Sequence, residues 1–140
     1  MIKIGALFLN RKRPGFDPQW GQSITERVKQ FLNDSKYEIY IPGINITDQL
    51  SFHNAITSCK ENNINVLIVL QPTLSDGNLA ASLAALWDKP FILWATPTDT
   101  NSEKIKSNSL VGTHIFASTL SPFGRKYEII YGMPDQQRFV

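Results

Sequence analysis

Short apolar runs alternate with longer amphipathic stretches along this chain. Several of the runs are rich in β-branched and aromatic residues, which favour strands. These strands are predicted at residues 2–9, 37–41, 65–70, 91–95 and 127–131. Their nearly continuous apolar character is typical of strands that are covered on both faces of a parallel sheet.

Helical periodicity fills the gaps between the predicted strands. Asp17 followed by Pro18 predicts the start of the first helix, because an aspartate side chain caps free backbone N–H groups and proline suits the first helical position. The apolar face of this helix comprises Trp20, Ile24, Val28, Phe31 and Leu32.

Further helices are predicted at about 48–61, 77–86 and 107–120. The fourth helical pattern is the weakest, because Gly112 and two threonines lower its helix propensity. The inward positions of the second and third helices are Phe52, Ala55, Ile56, Cys59, Leu79, Leu83 and Leu86.

Strands that alternate with helices indicate right-handed βαβ units. We therefore predict one flavodoxin-like domain over residues 1–140, a three-layer α/β/α sandwich whose five-stranded parallel sheet has the order 2-1-3-4-5. A length of 140 residues, with 42% hydrophobic and 19% charged residues, suits a single globular domain with its own core.

The net charge and the cysteine content limit which kinds of partner and which cellular compartment are expected. The net charge of +2 gives no whole-domain attraction to nucleic acid or to an anionic membrane, so neither is expected as a partner. Cys59 is the single cysteine, which fits a reducing compartment. The N-terminal apolar run is too short for a transmembrane helix and lacks the features of a secretory leader, and the cytoplasm is the expected location.

Ligands of parallel α/β sheets bind beyond the carboxyl ends of the strands. The loops expected at that edge are NRKRPGFDP after strand 1, QPTLSDGN after strand 3 and TPTDTNSEK after strand 4. They are longer and more polar than the connections expected at the opposite edge. These loops are therefore the first place to look for a binding site.

The loop QPTLSDGN has a structural interpretation and a functional one. Ser75 or Asp76 would cap the third helix, and this alone could explain the polar cluster. Alternatively, its neutral polar side chains suit a polyhydroxylated ligand. Asp76 disfavours a phosphate, because its charge would lie where a phosphate meets the helix N-terminus.

The first loop places Arg11 and Arg13 directly after a strand end, either as solvated surface charges or as part of a site. It contains neither of the glycine-rich phosphate-binding motifs, so the sequence does not indicate a nucleotide ligand. It also lacks the polar loop that would hold an FMN phosphate and the acidic pair of a receiver domain.

The histidines and tryptophans carry no clear catalytic pattern. His53 is expected at the surface of the second helix, and His114 is expected to be packed or partly buried, because it shares a helical face with Leu110 and Ala117. The loop carboxylates show no spacing with either histidine that would assemble a metal site. Trp94 differs from the other tryptophans, because it precedes the third loop and an indole can stack on a sugar face.

Four segments of the chain together resemble a known family. They are NRKRPGFDPQWG, LQPTLSDGNLAASLAALW, KPFILWATPT and SLVGTHIFASTL. In this order and at these separations they resemble the N-terminal domain of the L-fucose isomerase-like family, which is related to the L-arabinose isomerases. The resemblance covers nearly the whole chain.

The resemblance implies a role in carbohydrate metabolism, in the isomerisation of aldoses to ketoses. Members of the family hold a divalent metal, usually manganese, through two acidic residues and a histidine of later domains. No residue of this chain matches those ligands, so the resemblance assigns no cofactor to it. The first domain of the family is flavodoxin-like, contributes to oligomer contacts and can line the active-site mouth of a neighbouring subunit.

Carried over by position, the resemblance implies sugar-binding roles for polar and aromatic residues of the three loops. These are Arg11, Arg13, Gln71, Thr73, Ser75, Asp76, Asn78, Trp94 and Thr96.

Two hypotheses of different class remain open at this point. The chain is either the accessory domain of a metal-dependent sugar isomerase, working with its remaining domains or in a homo-oligomer, or a stand-alone, non-catalytic module that binds a sugar or a partner. A flavodoxin-like redox protein is disfavoured by the first loop.

Overall fold

A parallel sheet of five strands organises the chain. The computed structural model describes residues 2–10, 18–72, 78–97 and 109–133. The strand order is β2-β1-β3-β4-β5, as predicted, and every pairing is parallel. The strands are β1 (Lys3–Phe8), β2 (Glu38–Tyr40), β3 (Val66–Gln71), β4 (Phe91–Ala95) and β5 (Tyr127–Tyr131).

Helices cover both faces of this sheet, which confirms the flavodoxin-like α/β fold. Because alternate side chains of a strand point to opposite faces, Leu67 and Val69 of β3 enter a larger core, and Ile68 and Leu70 enter a smaller one. The helices in the described ranges are α1 (Pro18–Asn33), α2 (Gln49–Glu61), α3 (Asn78–Leu86) and α4 (Ser109–Leu120), and a 3₁₀ turn (Ser121–Phe123) follows α4.

The helices divide between the two cores. Ile24, Val28 and Leu32 of α1 lie in the smaller core, and the buried faces of α2, α3 and α4 form the larger one. The expected inward positions of α2 are all buried. None of the helices in the described ranges is long and apolar enough to cross a lipid bilayer.

Helix α2 begins with a reciprocal cap. The Asp48 carboxylate accepts a hydrogen bond from the Ser51 backbone N–H at 2.8 Å, and the Ser51 hydroxyl accepts one from the Asp48 backbone N–H at 3.0 Å. Two N–H groups that an α-helix leaves unpaired at its start are thereby satisfied. The polar residues before α2 therefore fix where the helix starts.

Strand β2 is shorter than the predicted strand at 37–41. Tyr37 is 45% exposed, and the ladder between β1 and β2 ends where Gly5 pairs with Tyr40. The chain meets β1 again only at an isolated bridge between Leu9 and Ile46. β-propensity therefore extends beyond the actual pairing, because pairing also needs a neighbouring strand within reach.

The prediction that His114 is packed or partly buried is wrong, because the structure exposes this side chain. Helix α4 directs Phe116 and Leu120 into the larger core, and Ala117 lies at the margin of that inward face. Leu110 and His114 lie further round the helix, where Leu110 is 38% exposed. Apolar residues on both sides of α4 obscure its true inward face in the sequence.

Cys59 is a core residue, as predicted. Its side chain is fully buried on α2, and burial raises the pKa of the thiol to about 12. The thiolate is therefore scarcely populated near neutral pH, and the side chain acts as a small apolar group.

Gly5 allows β1 to approach the larger core closely. A Cβ added at this position would lie 3.0 Å from Leu67 Cδ2 and 3.1 Å from both Cys59 Sγ and Ile64 Cγ2. All three neighbouring side chains are fully buried, so none of them has free space into which to move.

Gly5→Ala should therefore destabilise the fold by about 1–3 kcal/mol through overpacking. Urea unfolding followed by circular dichroism measures this change. Gly43→Ala is the matched control, because a Cβ there would meet no atom within 4 Å, and its effect should stay within about 0.5 kcal/mol. Equal stabilities of the two variants would contradict the close packing around Gly5.

Candidate functional site

The carboxyl ends of β1, β3 and β4 lie side by side at one edge of the sheet. Phe8 pairs with Leu70, and Leu70 in turn pairs with Trp94. The backbone N–H of Leu9 donates to the Leu70 carbonyl at 2.9 Å, which extends this alignment beyond the end of β1. The described starts of the three polar loops therefore meet at one edge, as a parallel sheet requires.

Several of the predicted site residues lie outside the described residues. They are Arg11, Arg13, Thr73, Ser75 and Asp76. Their sugar-binding role, and the capping role of Ser75 or Asp76, stay predictions. Gln71, Asn78, Trp94 and Thr96 lie within the described ranges and can be placed in the fold.

A buried polar cluster joins the ends of β3 and β4 to the start of α4. The Ser109 hydroxyl donates a short hydrogen bond to the Gln71 backbone carbonyl and accepts one from the Thr96 backbone N–H at 3.0 Å. The Gln71 side chain donates through Nε2 to the Gly112 carbonyl at 3.3 Å. The side chains of Gln71, Thr96 and Ser109 are all at least 97% buried. The cluster therefore satisfies polar groups that the strand ends would otherwise leave buried without partners.

The structure thus brings Gln71 and Thr96 together, through Ser109. Gln71 faces inward and contributes to the scaffold of the edge. The Thr96 hydroxyl is buried and finds no hydrogen-bond partner among the described residues. These side chains can shape a site from beneath the loops, because neither is open to solvent.

Trp94 lies on the opposite face of the sheet from the larger core. Its side chain is 2% exposed, and its indole N–H donates to the Gly132 carbonyl at 2.9 Å. The rings of Phe31 and Trp94 make an edge-to-face contact, and their centroids lie 6.2 Å apart. This arrangement gives Trp94 a packing role that joins β4, α1 and the turn after β5.

Asn78 is the described predicted site residue that faces solvent. It is the first residue of α3, directly after the polar loop that follows β3. The start of a helix lies toward the positive end of its dipole and carries backbone N–H groups without helical partners. Asn78 therefore places an exposed, neutral polar side chain directly after that loop.

The sequence pattern misses a cavity at the same edge. A cavity of about 230 Å³ lies between the end of β1 and residues 41–46, and Lys29 of α1 contributes to its wall. The loop after β2 also leaves the sheet at the carboxyl edge, but its sequence IPGINI is short and mostly apolar. Strand direction, rather than loop polarity, was the signal that could have identified it.

The described residues contain no group of three or more His, Cys, Asp and Glu side chains close enough to hold a metal ion. His53 is half-buried beside the apolar face of α2, and its Nε2 lies 3.3 Å from the Ser82 hydroxyl on α3. This contact joins two helices of the larger core, so His53 has a structural role there.

Comparison of the chain with models of known protein families and with curated proteins finds no match.

Ser109→Ala should destabilise the protein by about 1–3 kcal/mol, because it leaves the Gln71 carbonyl and the Thr96 N–H buried with no hydroxyl between them. Chemical unfolding monitored by tryptophan fluorescence measures this loss. Ser118→Ala removes an exposed hydroxyl from the same helix and should have little effect. A Ser109→Ala variant as stable as Ser118→Ala would show that the cluster contributes nothing.

Proposed function

We propose that this chain is the N-terminal, accessory domain of a sugar isomerase of the L-fucose isomerase-like family. Its role is to bind a polyhydroxylated substrate at the carboxyl edge of the sheet and to contact a neighbouring subunit or the remaining domains. The observation that carries this proposal is the placement of the four segments that resemble the family.

Each of the four segments has described residues at the same edge of the sheet. The first segment starts at Asn10, beyond β1, and the second crosses the end of β3 at Gln71. The third crosses the end of β4, just before Thr96, and the fourth forms α4 from Ser109 onward. Segments far apart in sequence therefore converge at the edge where parallel sheets bind ligands, which supports a shared binding role.

The described polar groups next to the loop after β3 also support a neutral ligand. Asn78 offers an amide that both donates and accepts hydrogen bonds, and the buried cluster at the ends of β3 and β4 consists of uncharged hydroxyl and amide groups. Adjacent sugar hydroxyls need both donors and acceptors, which amides provide. The exposed amide of Asn78 would help to orient a bound sugar without transferring a proton.

The chemical step itself requires more than this edge offers. Moving hydrogen between adjacent carbons of a sugar needs a positioned base and an electrophile that stabilises the charge on oxygen. The described residues do not fit the metal set of the family, since they contain no cluster of metal-binding side chains. In the complete isomerase the metal would therefore be held by later domains and by no described residue of this chain.

The binding role predicts a local response to sugars. Titration of the ¹⁵N-labelled chain with L-fucose should shift amide signals of residues 71–78 in a saturable way, whereas FMN and ATP should not. Asn78→Ala should weaken L-fucose binding about three- to ten-fold, the value of one lost hydrogen bond. The matched control is Asn33→Ala, an exposed asparagine at the far end of α1, which should bind like the original chain. Tight, saturable FMN binding would overturn the proposed ligand class.

The accessory role predicts that the 140-residue chain does not isomerise sugars alone. Purified chain mixed with L-fucose, L-arabinose and manganese should give no ketose above the protein-free control, as measured by a colorimetric ketose assay. Turnover that requires manganese and is lost in His114→Ala would contradict the accessory role. Saturable sugar binding without any gain of activity when the other isomerase domains are added would favour the stand-alone binding module.

A further inference from the structure

The cavity beside β1 exists because β2 leaves the sheet early. The last pair between the two strands is Gly5 with Tyr40, and the chain rejoins β1 at the Leu9–Ile46 bridge. The residues between Tyr40 and Ile46 bow away from the edge of β1, and the cavity of about 230 Å³ opens in this gap. It is therefore built by the backbone path of the sheet and not by a chance arrangement of surface side chains.

The β1 side of the cavity offers a backbone hydrogen-bond donor. The Asn10 backbone N–H donates to the Ile46 carbonyl at 2.8 Å, so Asn10 directs its backbone toward residues 41–46. Phe8 lies two residues earlier in an extended strand, so its N–H points to the same side of β1. The pairing between β1 and β2 ends at Gly5, before this residue. A backbone donor thus faces the cavity from β1.

The side chains of Asn10 and Asn45 add further polar groups. Asn10 Nδ2 donates to Asn45 Oδ1 at 3.2 Å, which fixes the two amides relative to each other across the cavity wall. This bond leaves the Asn45 Nδ2 donors and the Asn10 Oδ1 acceptor without a partner among the described residues. Both asparagines line the cavity, so a ligand there meets donors and one acceptor held in a fixed arrangement.

Lys29 is the only charged side chain among the described residues that line the cavity. Its Nζ lies 5.5 Å from the centroid of the Phe8 ring and 3.9 Å from a Glu26 carboxylate oxygen. The Glu26 side chain is 67% exposed, and an ion pair of this kind on a helix surface is weak. The ammonium group is therefore available to a stronger partner in the cavity.

The remaining wall is apolar. Ile41 and Ile44 lie on the side opposite β1, and both are packed against the cores of the fold. A volume of about 230 Å³ is smaller than the roughly 300–1,000 Å³ of typical drug-sized ligand sites. The occupant must therefore be a small molecule with a short apolar body.

We propose that this cavity binds a small aliphatic hydroxycarboxylate. The Lys29 ammonium and the amide donors bind the carboxylate, the Asn10 amide oxygen accepts from the hydroxyl, and Ile41 with Ile44 contact the aliphatic body. A single cation with several neutral donors suits one negative charge. The proposed ligand differs in class from the neutral sugar proposed for the loops of β1, β3 and β4, and it does not depend on that proposal.

The probe for this site is sodium 2-hydroxy-3-methylbutyrate, titrated into the ¹⁵N-labelled 140-residue chain. We expect saturable shifts of the Phe8 and Asn10 backbone signals and of the Asn45 side-chain amide signals. The neutral amide of the same acid has the same shape without the charge, and it should bind at least about ten-fold more weakly. Equal binding of the acid and its amide would overturn the proposal, as would equally tight binding of inorganic phosphate at the same signals.

Lys29→Met tests the cation while keeping an unbranched side chain over Phe8. It should weaken binding of the acid by about ten-fold or more and leave binding of the neutral amide unchanged. Lys36→Met is the matched control, because Lys36 also lies 5.5 Å from an aromatic centroid, that of Tyr37, and the net charge changes equally. Equal affinity of the two variants for the acid would overturn the role of Lys29.

A second variant keeps the test decisive if Lys29→Met fails to fold. Asn45 is exposed, so Asn45→Asp should be tolerated, and its negative charge should repel a carboxylate in the cavity. The acid should then bind at least about ten-fold more weakly at neutral pH. Retention of the original affinity in Asn45→Asp would contradict the proposed position of the carboxylate.

Discussion

The pairing of β3 with both of its neighbours is the constraint on which the rest of the structure depends. This strand pairs with β1 on one side and with β4 on the other, and its side chains supply both cores. Because all these strands are parallel, one pairing scheme fixes where every connecting loop leaves the sheet. The polar cluster around Ser109, the packing of Trp94 and the cavity beside β1 all follow from that scheme.

Polar groups at the end of β3 show how a buried strand terminates without losing hydrogen bonds. Beyond the last ladder pair, the Gln71 carbonyl would have no strand partner, and the Ser109 hydroxyl replaces it. The same hydroxyl accepts from the Thr96 N–H, so one small side chain serves two strands. The Ser109 hydroxyl therefore joins the described ends of β3 and β4 to the start of α4.

Much of the fold could be predicted from the sequence, because strong local signals agreed with the tertiary structure. The bounds of β4 and β5 match the predicted runs, and Pro18 marks the start of α1 as expected. Alternating strands and helices indicated a parallel sheet, and the predicted order is the one expected for five such strands in a flavodoxin-like sandwich. His114 was misplaced because α4 carries apolar residues on both its inward and its outward faces, so periodicity alone does not fix its phase.

The candidate site was harder to predict, because contacts between residues far apart in the sequence determine how its side chains are arranged. The positions of Gln71 and Thr96 in the sequence correctly predicted that both lie at the carboxyl edge. They did not predict that the Gln71 side chain points inward, a direction that its hydrogen bond to Gly112 fixes. Ser109 carries no signal of its role, since its two partners lie 38 and 13 residues away. Likewise, the cavity beside β1 arises from an early end of strand pairing, which no local pattern of Ile41 or Asn45 reveals.

The pairing of β1 with β3 also sets the order in which the chain can fold as it is synthesised. After β1, residues 9–65 must be synthesised before β3 is made. Until then β1 can pair only with β2, and that pairing covers three positions. At about 5–20 residues per second, this interval lasts roughly 3–11 s. During that time the apolar stretch KIGALF lacks its main partner strand, and an unpaired apolar strand is the kind of segment that pairs with other chains. Lys3, at its start, is the one charge within the stretch, and a charge of this kind opposes such pairing.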